Sequence, residues 1–166
     1  MELKEALKIA IDFEKKGHDI YSAASKKSKN AVTKKTFEYL AKQESYHIKN
    51  ITSYMTKESI PKTLDGDNVK DTQKFFTTTV KDFEKKAQIF SSDEIKLYES
   101  AMELEQTSYE FYKAQKEISK SKEAQKFFEF LLTQENAHFE LLQKTLDFLK
   151  DPKNYFSKDE SWMFEG

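Results

Sequence analysis

Gln43-Glu44-Ser45-Tyr46-His47 and Gln134-Glu135-Asn136-Ala137-His138 are two copies of one pattern, a glutamate followed three residues later by a histidine. On a helix, residues i and i+3 stand one turn apart on the same face, so the carboxylate and imidazole of each copy can reach one ion. A single Glu-x-x-His arises easily by chance. Here the copies lie 91 residues apart, and the register around them continues without a gap. Lys35/Lys126, Phe37/Phe128, Glu38/Glu129, Leu40/Leu131, Gln43/Gln134, Glu44/Glu135 and His47/His138 are identical, seven of the eighteen positions from Lys34 to Ile51. The same offset pairs Ala10 with Ala101, Glu14 with Glu105 and Tyr21 with Tyr112. Duplication of one antiparallel helix pair predicts a four-helix bundle with pseudo-two-fold symmetry.

The rest of the chain supports an all-α fold. Three Gly and two Pro among 166 residues leave little punctuation for the tight turns of a sandwich or barrel. Apolar residues recur at helical spacing over about 3–28, 31–55, 92–119 and 123–150. Between the second and third helices, residues 57–92 read as a long crossover. It holds Pro61, the turn-like Leu64-Asp65-Gly66-Asp67-Asn68, and a short amphipathic helix from about Asp71 to Phe90. Ser91-Ser92-Asp93-Glu94 supplies cap candidates and an acidic first turn for the third long helix. Asp151-Pro152 should stop the fourth, because proline has no amide hydrogen for the ladder. Residues 1–150 are thus expected to form one domain. The 151–166 tail carries Tyr155, Phe156, Trp162, Met163 and Phe164, too aromatic for a disordered tail, and is expected to pack on the bundle or on a partner subunit.

The core-facing seams contain the wrong residues for a purely apolar core. Helix one reads Leu3, Leu7, Ala10, Glu14, Gly17, Tyr21, Ala24, and helix two Thr33, Phe37, Leu40, Glu44, His47, Ile51, Tyr54. The third and fourth long helices repeat this with Tyr98, Ala101, Glu105, Ser108, Tyr112 and with Ala124, Phe128, Leu131, Glu135, His138, Leu142. Any one of these glutamates, taken alone, would be a surface residue in a Lys/Glu-rich protein. Four at matching depth are another matter, because burying an unpaired carboxylate costs several kcal/mol. Two divalent ions would balance four carboxylates with both histidines neutral. Mixed oxygen and nitrogen donors dominated by carboxylate suit iron first, with manganese as the other candidate, rather than structural zinc.

Composition excludes several alternatives. A formal net charge of −1, with every basic residue a lysine, offers neither a basic field nor bidentate Arg for nucleic acid. With no Cys, zinc–thiolate and iron–sulfur sites are excluded. Neither a signal-like N-terminus nor a bilayer-length apolar stretch stands out, so a cytoplasmic location without membrane contact is expected.

The spacing Glu14 to Tyr21, Glu44-x-x-His47, Glu105 to Tyr112 and Glu135-x-x-His138 resembles the ferritin-like di-iron carboxylate superfamily, and within it the rubrerythrin-type bundles, over about residues 3–150. The resemblance implies that Glu14 and His47 serve one iron, Glu105 and His138 the other, and that Glu44 and Glu135 bridge them. Tyr21 and Tyr112, two turns beyond Glu14 and Glu105, are candidate catalytic phenols that would donate to a bridging carboxylate of the opposite helix pair. Gln43 and Gln134 are candidates to orient the histidine of the other half. The chain departs from rubrerythrins in lacking a rubredoxin domain, since it has no Cys. It also carries Ser108 where they place a further glutamate, which puts peroxidase chemistry dependent on that carboxylate in question.

The leading expectation is therefore a di-iron oxidoreductase that consumes hydrogen peroxide or dioxygen with electrons from an external donor protein. The alternatives are a ferroxidase or iron storage and delivery protein, and a non-catalytic module stabilised by its metal. A homodimer is expected, with Phe75-Phe76 and the Trp162 region as candidate contacts.

Overall fold

A computed structural model describes residues 1–57, 69–83 and 90–158, with side chains described up to Tyr155. Four long helices dominate: α1 (Leu3–Lys27), α2 (Ala31–Lys57), α4 (Ser92–Ile118) and α5 (Lys122–Lys150). Two shorter ones are α3 (Val69–Phe83) and α6 (Pro152–Lys158). No strand occurs among the described residues, and none of their helices is long and apolar enough to cross a membrane. Pro61, the Leu64–Asn68 turn and the tail residues Trp162, Met163 and Phe164 lie outside the described residues.

Local chemistry accounts for the breaks. The chain leaves α1 at Ser28 in an extended conformation, and Asn30 restarts it, its Oδ1 accepting the Thr33 amide at 2.9 Å. Ser121 caps α5 in the same way, its Oγ accepting from the Ala124 amide at 3.0 Å. Pro152 ends α5 as expected and also opens α6, where the missing amide hydrogen costs nothing.

α1 packs on α2 and α4 on α5, and the two hairpins meet mainly through α1 and α4. Their junction is pinned at one end by Glu94 near the start of α4. Its two oxygens accept from Ser28 Oγ and Thr33 Oγ1, each at 2.9 Å, and Thr33 Oγ1 also contacts the Tyr98 hydroxyl at 3.0 Å. The apolar core falls into two clusters. One gathers Tyr21, Phe37, Leu40, Tyr98, Leu142 and Phe148; the other gathers Leu7, Ile51, Tyr54, Tyr112, Phe128 and Leu131. Glu44, His47, Glu135 and His138 fall between these clusters along α2 and α5.

The crossover helix was expected from about Asp71 to Phe90. Val69–Phe83 is helical, residues 84–89 lie outside the described residues, and Phe90 itself is non-helical, its ring 6.4 Å from that of Tyr98. Of the two phenylalanines expected at a partner contact, Phe76 is buried within the chain instead, T-shaped to Tyr155, which also meets Phe148, while Phe75 stacks on Tyr39 at 4.1 Å and stays partly exposed. The start of the tail therefore does pack back on the bundle, through Tyr155.

Candidate metal centre

Each long helix sends one glutamate inward, and α2 and α5 add a histidine one turn later. Glu14, Glu44, Glu105, Glu135, His47 and His138 are all at most 3 % exposed, so none is an ordinary solvated side chain. Their ligand atoms form two overlapping groups: Glu14, Glu44, His47 and Glu135, and Glu44, Glu105, Glu135 and His138. Within each group the four atoms lie within 4.8 Å of one another, and Glu44 and Glu135 belong to both.

The histidines turn Nδ1 to the carboxylates. His47 Nδ1 stands 3.2 Å from Glu14 Oε2 and from Glu135 Oε1, and His138 Nδ1 stands 3.7 Å from Glu44 Oε1 and from Glu105 Oε1. The two imidazoles stack with centroids 5.4 Å apart. Ligand bonds of about 2.1 Å at angles of about 90–120° put neighbouring donor atoms about 3.0–3.6 Å apart, so these separations are those of atoms sharing an ion. The His47–Glu14 contact at 3.2 Å also meets hydrogen-bond geometry, whereas the 3.7 Å separations of His138 are too long for it. Glu105 Oε2 is buried without a hydrogen-bond partner, as a carboxylate oxygen reserved for a cation would be.

The tyrosines hold the unshared carboxylates, in Glu14 the oxygen other than the one beside His47 and in Glu105 the same Oε1 that faces His138. Tyr112 donates to Glu14 Oε1 and Tyr21 to Glu105 Oε1, each at 2.6 Å. The expectation was donation to the shared glutamates Glu44 and Glu135. Both phenols do cross to the opposite hairpin, but they meet the unshared carboxylates. The reason is that α1 and α4 pack antiparallel, so the Glu of each helix stands opposite the Tyr two turns along the other. Burial, reinforced by the neighbouring carboxylates, raises both phenol pKa values well above the ordinary range, which keeps them protonated donors.

Without an ion the buried carboxylates differ in how readily they ionise. Burial, with the charges of Glu105 and Glu14, pushes Glu135 well up. Burial would raise Glu105 as well, but its interactions with Glu135 and His138 and the hydrogen bond from Tyr21 outweigh it, and its pKa falls. Of the two, Glu135 is the carboxyl whose surroundings favour the protonated form.

Gln43 and Gln134 are also buried, but the amide oxygen of each lacks a hydrogen-bond partner, so the expected histidine contact is not made through that atom. His18, half-exposed beside Asp19, stands apart from the centre. Gly17 was read only as a seam residue, yet it lies against the Glu44 carboxylate; its identity as a glycine inside a long helix was the available signal.

A family model described as rubrerythrin matches residues 5–146, most of the chain and all six of these residues. The chain belongs to the rubrerythrin family. Comparisons with curated proteins and with solved structures found no match. Its all-α architecture is that of a ferritin-like bundle, and the buried carboxylate and histidine groups fit a rubrerythrin di-iron site. Ser108, where a rubrerythrin glutamate is expected by resemblance, is buried on the α4 seam one turn beyond Glu105.

Proposed function

We propose that this protein is a di-iron oxidoreductase acting on hydrogen peroxide or dioxygen, in which Glu14 and His47 hold one iron, Glu105 and His138 hold the second, and Glu44 and Glu135 bridge them. The observation that carries this reading is the pair of overlapping four-residue groups sharing two glutamates. When bound, such an iron pair supplies two electrons, the number that reduction of peroxide to water requires. The protein's own contribution is to hold geometry and protons. Tyr112 holds Glu14 Oε1 and leaves Oε2 beside His47, while Tyr21 holds Glu105 Oε1 and leaves Oε2 without a hydrogen-bond partner. The apolar clusters on either side limit water. With no Cys among these 166 residues to hold an iron–sulfur or rubredoxin-type centre, the electrons that restore the reduced state come from a donor outside them.

The test is iron per subunit after anaerobic Fe(II) loading, followed by peroxide consumption with an added reductant. Two irons and sustained turnover are expected. Consumption of many more than two Fe(II) per subunit would indicate iron storage instead, and two irons without turnover a purely structural role. Glu44→Ala and Glu135→Ala should each lose both irons, and Glu14→Ala mainly one. Two tightly held irons in Glu44→Ala would sink the ligand assignment.

A further inference from the structure

Gly17 breaks the internal repeat at the centre itself. It lies one turn beyond Glu14 on the α1 seam, and the 91-residue offset pairs it with Ser108, one turn beyond Glu105. Of the three glycines in the chain, Gly17, Gly66 and Gly166, it is the one inside a described helix, and it lies near the middle of α1. Glycine there weakens the helix relative to alanine, and no turn or chain reversal calls for it.

What the position requires is space. A Cβ placed on Gly17 would stand 3.3 Å from Glu44 Cδ, 3.5 Å from Cγ and 3.5 Å from Oε2. The nearest atoms are thus the carboxylate end of one of the two shared glutamates, lying against the α1 backbone. Resting on the di-iron reading above, we propose that Gly17 is a positioning residue of the centre. Its missing side chain is the seat of the Glu44 carboxylate, and the bridging atoms take their place because the helix surface there is bare. The two halves are then unequal by construction, since Ser108 carries a side chain at the repeat-related position.

A glycine kept for backbone reasons and one kept to seat Glu44 respond differently to Gly17→Ala. If Glu44 is seated there, an added methyl displaces the carboxylate by a few tenths of an ångström. Affinity for Fe(II), titrated alone and anaerobically, falls by about tenfold or more, as for other changes to groups that orient ligands. Gly17→Ser falls further. The metal-free protein shows the same contact without any ion. In a double-mutant cycle on its melting temperature, Gly17→Ala is more stabilising in the Glu44→Ala background than in the wild type, because the methyl then meets no carboxylate.

Unchanged Fe(II) affinity in Gly17→Ala overturns the proposal, and so does an equal effect of the methyl in both backgrounds. Failure of the di-iron reading looks different: the wild type itself takes up no Fe(II), while the metal-free cycle still reports the Gly17–Glu44 contact.

Discussion

Tyr112→Phe and Tyr21→Phe keep the packing of a buried ring and remove one proton donor each. Glu14 Oε1 or Glu105 Oε1 then loses a 2.6 Å hydrogen bond inside the core. Bonds to charged groups contribute about 1.5–3 kcal/mol, so each variant should lower the stability of the metal-free protein by about that much, measured by denaturant unfolding. A loss indistinguishable from zero in both would mean that the phenols are ordinary packing aromatics. These positions also show what the sequence made legible. All six inward acidic and imidazole groups follow from the seam pattern, because a helix of known period fixes which side chains share a face. The partner of each tyrosine does not follow. Periodicity gives depth along one helix, whereas the pairing of Tyr21 with Glu105 rather than Glu135 depends on which helices cross and in which direction.

The third helix illustrates the same limit between elements. Its amphipathic pattern was visible, but its docking on α5 and α2, through Phe76 against Tyr155 and Tyr39 against Phe75 and Thr72, was not. Phe76 reads equally well as an exposed contact until Tyr155 of α6 is seen against it. Opening of α6 at Pro152 was missed for a related reason: proline ends a helix and begins one with the same ring. None of the six centre residues lies on α3. Phe76→Ala should therefore cost about 3–5 kcal/mol in stability while iron per subunit stays at the wild-type value. Hydrogen exchange should show faster exchange in α3 and α6, with α1 and α4 protected. Iron loss in this variant would mean that the crossover helix supports the centre. Caps act on a smaller scale: Ser121→Ala removes the acceptor for the Ala124 amide and should cost about 1 kcal/mol, seen as a small fall in melting temperature.

Four glutamates placed between two apolar clusters make the stability of the bundle depend on pH and on metal together. In the metal-free protein Glu135 has a raised pKa, from burial and then from the charges of Glu105 and Glu14. Its stabilising contribution is complete below the ordinary glutamate value of about 4.3 and fades as pH rises through the raised value. Glu105 has a lowered pKa, its burial outweighed by its interactions with Glu135 and His138 and by the hydrogen bond from Tyr21. Its contribution is present above about 4.3 and is lost as pH falls through the lowered value. Together these two groups make the metal-free bundle most stable in weak acid and less stable toward neutral pH. A divalent ion reverses the upper limb, because it takes the place of the Glu135 proton and stabilises all four carboxylates as anions. The difference in melting temperature between Mn(II)-loaded and metal-free protein should therefore widen as pH rises from about 5 to about 7, with release of protons on binding that calorimetry in buffers of different ionisation enthalpy can count. If the difference is flat across that range and no proton is released, Glu135 is already ionised without metal, and its raised pKa is not how the empty bundle tolerates its buried acids.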